Sequence, residues 1–412
     1  MIPRFSPTAG WSEIFSFLGD VMTAPQKTSS ATTEFEHAFA EYVGRKHAVF
    51  APSGRMSLWL VLQALDYLPG SEIIVPSFTY FAIPAVIQLL GLKPVYAEID
   101  PLTFELSAAS VEAVMTEQTR AVIPTHLFGR TCEMTALKTL CDARDVTIIE
   151  DCAQCMGASI GDKKAGTFGT AAYFTFGITK NFTTFGGGML ACEDDALYSR
   201  IQELMNTFHS PEKARQIKEG VTALAMRLAT RRPLFSASLG LLLRGASSRS
   251  PDFVQTAFEE HVSALSVQRI ESGKWRPTDA QARAGLRQLK SLDTKNETRR
   301  ERGNALISNL KKMDCRGIPL AANADGDHIF VSFALTRADR YAFGGRLRRR
   351  GVDTATGYMS DCSSIPELGG ESEGCLQAAR VANEIIHLPL YPDLTERDIK
   401  RIANAVLFAD HP

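Results

Sequence analysis

The chain of 412 residues carries 45 Lys+Arg against 46 Asp+Glu, a formal net charge of -1. At 45% hydrophobic and 22% charged residues it has an ordinary globular composition, which excludes wholesale disorder and fibrous repeats and leaves room for one large domain plus a smaller one. Near-neutral charge, with no basic stripe interleaved with aromatics, excludes the bulk field that holds nucleic acid.

Segment 1–15 lacks the apolar run of a signal peptide, and no stretch approaches the ~18 consecutive apolar residues of a membrane-spanning helix. A cytoplasmic location is expected. From residue 35 onward, short apolar runs alternate with helical patterns. Helices are predicted over 35–44, 56–65, 81–91, 107–115 and 133–145. Strands are predicted over 47–53, 72–77, 93–100, 120–126 and 146–151, continuing at 171–177 and 187–194. Continuous β-branched runs with helices between them mean a mostly parallel sheet covered on both faces, which places ligands at the carboxyl ends of its strands.

Residues 209–250 differ in texture, with eight positive residues (Lys213, Arg215, Lys218, Arg227, Arg231, Arg232, Arg244, Arg249) against Glu212 and Glu219. An inserted helical unit whose apolar face packs on the body or on a second subunit is the preferred reading. A membrane-surface element is the other. A long polar helix is expected to run from about 275 to 312. Beyond it a strand at 328–335, a helix at 337–351, a short strand at 352–356, a strand at 384–390 and a closing helix at 394–409 make a small α/β domain. The expected division is a large domain over 1–295 and a small one over 296–412. Eight cysteines without a regular framework read as reduced thiols. Cys152 and Cys155 have a C-x-x-C spacing, but without a second pair or suitably spaced histidines they read as small buried residues.

Five local features fit pyridoxal 5′-phosphate, which needs a lysine, a carboxylate for the ring nitrogen, a phosphate cup and a flat ring partner. Ser53-Gly54-Arg55 stands where a strand ends and a helix begins, so backbone N–H groups and the helix dipole face an anion. Asp151 ends the buried strand 146–151 and is the candidate carboxylate. Glu150 is the alternative, and strand alternation allows only one of the two to face the ring. Lys180 lies in a loop past strand 171–177, with Thr175 offering a hydroxyl and Gly186, Gly187 and Gly188 permitting a tight return. Tyr80 offers an aromatic face.

The order of these segments, with 76–80, 125–129, 150–154, 175–180 and 186–188 in sequence, resembles the DegT/DnrJ/StrS family of PLP-dependent sugar aminotransferases. The resemblance implies the aspartate-aminotransferase-like fold (fold type I), a seven-stranded mostly parallel α/β sheet with a smaller C-terminal domain. It implies that Lys180 forms the Schiff base and shuttles a proton, and that Asp151 holds the ring nitrogen. Gln154 would lie near the ring hydroxyl, Tyr80 would stack, and Gly54, Arg55 and Thr175 would hold the phosphate. It further implies a homodimer with shared active sites, glutamate as amino donor and a nucleotide-linked keto-sugar as acceptor. Three departures concern substrate reading. Arg55 stands where the family has Thr, Lys274 where it has an Asn that reaches a neighbouring subunit's phosphate, and Thr356-Gly357-Tyr358 where it has a His-Tyr segment. The same scaffold doing other chemistry, such as dehydration, and a non-catalytic cofactor-binding scaffold are the competing readings.

Overall fold

The computed structural model describes residues 1–23, 30–210, 212–238, 240, 270–313, 315, 327–370 and 375–410. Seven strands form the central sheet: β1 His47–Ala51, β2 Glu72–Pro76, β3 Lys93–Ala97, β4 Thr119–Val122, β5 Thr147–Asp151, β6 Ala171–Thr175 and β7 Gly188–Cys192. Their order is β1-β7-β6-β5-β4-β2-β3, with β7 the antiparallel member, paired to β1 and β6. The remaining pairs are parallel. β2 and β7 are buried along their whole length, as expected for strands covered on both faces.

Period-two alternation sorts the core into two layers. Val49, Ile149, Tyr173 and Leu190 pack under helices Gly54–Leu65 and Asp195–Asn206. Phe50, Phe174 and Met189 face the other way, against helix Ser30–Val43 and the long helix Asp279–Lys312. That second layer is a phenylalanine cluster with edge-to-face contacts, Phe35 on Phe50 and Phe39 on Phe174 at 5.0 Å and Phe176 on Phe182 at 4.7 Å.

The long helix joins the two parts without a break. The expected boundary at residue 295 falls inside it, while its last turns, with Leu306, Ile307 and Leu310, belong to the second core. That core is built on strands β8 Phe333–Thr336 and β9 Ile385–Leu388, which are antiparallel, and on helices Arg340–Arg349 and Glu396–Asp410. The strand expected over 328–335 begins only at Phe333, because Phe330 takes a left-handed φ of 48° and donates its N–H to His328 Nδ1. Segment 352–356 makes only isolated bridges, Val352 to Ile2 and Ala355 to His387. Helices Trp11–Thr23 and Asp195–Asn206 were outside the predicted elements.

The described part of the basic segment forms helices Lys213–Ala229 and Arg232–Ala237. The first buries Gly220 and Ala223 against helix Trp11–Thr23, and Gln216 Oε1 accepts the Thr278 hydroxyl at 2.7 Å. Arg227 and Arg232 reach Asp393 and Asp398 of the second domain, both at 2.8 Å. These residues pack on the body. Arg244, Arg249 and the rest of 241–250 lie outside the described residues. No described helix is long and apolar enough to cross a membrane.

Two helical glycines show that packing overrides propensity here. A Cβ at Gly285 would lie 2.3 Å from the Phe35 ring, whereas one at Gly19 meets nothing within 4 Å. Gly19→Ala is expected to gain up to about 1 kcal/mol from helix propensity. Gly285→Ala should instead lose about 1–3 kcal/mol, because a core ring must move. Denaturation midpoints of the two variants check the opposite signs.

Candidate active site

The site begins with two adjacent carboxylates at the end of β5. Glu150 pairs in register with Ala172 and Asp151 with Tyr173, so their side chains leave opposite faces of the sheet. Glu150 is fully buried and accepts N–H bonds from Gly166 at 2.8 Å and from Phe168 and Gly169 at 2.7 Å. His126 Nε2 lies 3.2 Å away and the Arg45 guanidinium 3.8 Å away. Burial alone would raise the Glu150 carboxyl, but His126 and these N–H groups outweigh it and hold it below its ordinary range. Glu150 is therefore engaged on all sides by the scaffold, while Asp151 leaves the other face of the sheet.

Asp151 is 3% exposed and accepts the Ala153 N–H at 2.9 Å. Burial raises its carboxyl, opposed by the Ala153 N–H, by Tyr173 and by the positive charge of Lys180. The Tyr173 hydroxyl is buried beside it, off the geometry of a regular hydrogen bond, and its own ionisation is pushed far up by burial and the Asp151 charge.

Lys180 sits in the loop between β6 and β7, with its amine pulled down by burial and pulled back up by Asp151. The loop is fixed from both ends. Phe176 and Phe182 are locked in the phenylalanine cluster, and the Phe176 carbonyl accepts from the N–H groups of Thr184 (3.2 Å) and Gly186 (3.1 Å). The Lys180 N–H reaches the Gly177 carbonyl at 3.0 Å, and the Lys180 carbonyl accepts the Thr8 hydroxyl at 2.8 Å. Arg299 of the long helix donates in turn to Thr8 Oγ1 at 3.1 Å. Thr8 and Arg299 were not singled out from the sequence; nothing local marks residues so distant from Lys180 as its supports.

A helix start, a hydroxyl and a glycine return meet at the ends of β1, β6 and β7. Ser53 caps helix Gly54–Leu65 by accepting the Met56 N–H at 3.2 Å, and its backbone bridges Gly187. A Cβ at Gly54 would lie 1.8 Å from Thr175 Oγ1, and one at Gly188 would lie 2.7 Å from the Gly54 nitrogen. The helix start, Thr175 and the glycine return are thus in direct contact, and only glycines allow it. Arg55, in the first turn of that helix, is half-buried.

Tyr80 follows the short strand Phe78–Thr79, whose Thr79 hydroxyl lies 3.2 Å from that of Thr125, a residue bridged to Asp151. Gln154 accepts the Phe128 N–H at 3.2 Å through Oε1. The carboxyl ends of β1, β2, β4, β5 and β6 therefore converge with Ser53, Gly54, Arg55, Tyr80, Asp151, Gln154, Thr175 and Lys180. Lys274 stands apart within one chain. Its ammonium lies 2.6 Å from Glu271 and 4.9 Å over the Trp59 ring. Tyr358 has no histidine beside it in sequence, yet His387 of β9 packs on its ring with centroids 4.8 Å apart. The C-x-x-C pair is joined in space by His126, the ligand-type atoms of all three lying within 4.8 Å of one another. Both nitrogens of that imidazole are already engaged, Nδ1 by the Cys132 N–H at 3.0 Å and Nε2 by Glu150.

With this geometry, the family is decided by comparison with known proteins. Residues 19–241 and 258–407 match the DegT/DnrJ/EryC1/StrS aminotransferase family. The chain belongs to that family. It is 39% identical over 180 residues to the GDP-perosamine synthase of Caulobacter vibrioides, a match spanning 44% of this chain and 48% of that one. It is 29% identical over 399 residues to the pleiotropic regulatory protein of Geobacillus stearothermophilus, covering 96% of this chain and 93% of the other. The solved structure of S. venezuelae DesV superimposes with a TM-score of 0.78 at 26% identity, covering 99% of this chain and 98% of that one. The fold is that of these proteins, as expected from the sequence.

Replacing the two carboxylates should separate structure from function in cofactor-free protein. Glu150→Gln strands the N–H groups, His126 and Arg45 around it, an expected loss of about 3 kcal/mol or more at pH 7. Because the folded pKa lies below the ordinary 4.5, that contribution is present above pH 4.5 and fades as pH falls through the folded value. Asp151→Asn removes a carboxylate whose pKa is raised, so it should melt no lower than the parent at pH 8. Melting curves of both variants from pH 3 to 8 check this.

Proposed function

We propose that the chain is an aminotransferase that carries an amino group from glutamate to the ketone carbon of a nucleotide-linked sugar or related cyclitol, with pyridoxal 5′-phosphate as the carrier. The observation that supports it best is half-buried Lys180 facing buried Asp151, each group moved away from its ordinary pKa, with the close contact of Gly54 and Thr175 beside them. That contact fits a phosphate, since N–H groups at a helix start and a hydroxyl converge where no side chain could stand. When bound, the cofactor would supply a reactive carbonyl and an electron-withdrawing ring.

The protein's own part follows from its residues. Gly54, Arg55 and Thr175 with the Ser53 turn would hold the phosphate, and Tyr80 would cover one ring face. Asp151, kept at the end of a rigid strand, would hold the ring nitrogen protonated, and Gln154 would meet the ring hydroxyl. Lys180 is the base. Burial lowers its affinity for a proton, so the neutral amine is easier to reach than in a solvated lysine and can take a proton from the donor carbon and return it at the acceptor. The anchored loop keeps that amine within a small volume.

We infer a homodimer in which Lys274 is offered to the phosphate of the neighbouring site as a point charge. A reducing, cytoplasmic setting accords with eight cysteines, none of them joined in a disulfide.

Purified protein loaded with the cofactor should show a visible band that collapses to the ultraviolet on adding glutamate, and a keto-sugar should restore it. Lys180→Ala should fold and lose turnover by a factor on the order of 10²–10⁴ or more. A Lys180→Ala protein that still turned over at the parental rate would sink the assignment, and a band indifferent to glutamate would point to another donor or to other chemistry on this scaffold.

A further inference from the structure

The seam between the sheet and the second domain holds an imidazole that the reaction described above does not use. His387 lies on β9, is 3% exposed, and exchanges backbone hydrogen bonds with Ala355 (His387 N–H to Ala355 O at 2.8 Å, the return bond at 3.2 Å). Its Nδ1 is 2.8 Å from the Ser332 hydroxyl, which fixes the ring plane. Two aromatic rings meet it edge to face, Phe128 at 4.9 Å and Tyr358 at 4.8 Å. Its Nε2 is buried without a hydrogen-bond partner. A buried, unsatisfied ring nitrogen is costly, and proteins keep such atoms where something else completes the bond.

The position says what that is. Phe128 donates its backbone N–H to Gln154, beside Asp151. On the other side, Tyr358 is 43% exposed and belongs to a segment whose Ser360 pairs with Thr79, the residue before Tyr80. His387 is therefore linked through Phe128 to the Gln154 side and through Tyr358, whose ring is exposed, to the segment paired beside Tyr80. Burial first, and the nearby Arg340 charge second, pull this imidazole down to about 3, so it is uncharged at physiological pH. An uncharged ring nitrogen next to an exposed aromatic ring suits a hydroxylated, uncharged ring lying on its apolar face, and does not suit a phosphate or carboxylate.

We propose that His387, oriented by Ser332 and flanked by Tyr358, reads a hydroxyl of the acceptor's hexose ring through Nε2. The assignment rests on the nucleotide-linked sugar reading above. It makes His387 a specificity residue for the acceptor half of the reaction, with no part in the donor half.

The test separates the hexose from its carrier. Calorimetric titrations of cofactor-loaded protein use GDP-mannose and UDP-N-acetylglucosamine, with GDP and UDP as controls that lack the hexose. His387→Phe keeps the ring volume and loses Nε2. For the sugar nucleotide that binds the parent, affinity should fall about tenfold while the matching diphosphate stays within about twofold. Ser332→Ala, a minimal change that leaves the core intact, should shift the same ratio in the same direction by a smaller factor. Conversion by glutamate, read from the absorbance, should be unchanged in both variants. Equal weakening of hexose-bearing and hexose-free nucleotides, or no weakening, overturns the proposal, as does parent protein that converts with glutamate yet binds neither sugar nucleotide. Parent protein that ignores glutamate while His387→Phe still selectively weakens a sugar nucleotide would instead remove the transaminase reading and leave the hexose subsite standing.

Discussion

Everything at the site depends on the opposed facing of Glu150 and Asp151 at the end of β5. One carboxylate is buried among three backbone N–H groups, His126 and Arg45 and becomes part of the scaffold. The next is driven to the other face, where burial and a facing lysine set its charge. The two are linked, since a saturated Glu150 anchors loop 166–169, which leads into β6, the strand whose far end carries Thr175 and the Lys180 loop. A shift of register by one residue would exchange the two roles and leave an unpaired charge on each side of the sheet.

The lysine is placed by contacts from far along the chain. Phenylalanines on either side of it are buried in a cluster shared with helices Ser30–Val43 and Asp279–Lys312, and the carbonyl of Lys180 hangs on Thr8, itself held by Arg299. The long helix therefore serves as more than a connector between domains. Its first half closes the phenylalanine layer under the Lys180 loop, its middle braces the loop through Arg299, and its end builds the second core. Through Arg299 and Thr8 that helix holds the backbone of Lys180.

The second domain is tied to the sheet by a short strand pair. The pairing of Ser360 and Asp361 with Thr79 and Phe78 ties its irregular segment to the sheet just before Tyr80, and β9 delivers His387 to the same seam. The two parts that meet at this seam thus share one continuous helix. The described basic helices add ion pairs from Arg227 and Arg232 to Asp393 and Asp398, which fasten the N-terminal helix and the second domain together.

Much of the sheet was legible because buried parallel strands are continuous β-branched runs, and a helix between each pair leaves one sensible arrangement. The candidate cofactor group was legible for a related reason. Residues at the carboxyl ends of strands are brought together by the fold itself, so Ser53, Tyr80, Asp151 and Thr175 need only their strand positions to be placed. Alternation made the parting of Glu150 and Asp151 legible and the resemblance pointed to Asp151, but the N–H groups, His126 and Arg45 that surround Glu150 come from separate segments and were not legible. Thr8, Arg299, His126 and His387 act through contacts across more than a hundred residues of chain or between separate strands, and no periodicity or spacing encodes such meetings. Local sequence determined the strands, the caps and the chemistry available at their ends. The tertiary structure decided which of those groups are desolvated, paired or left with an open hydrogen bond, because burial is a property of everything packed around a side chain and not of the residues beside it.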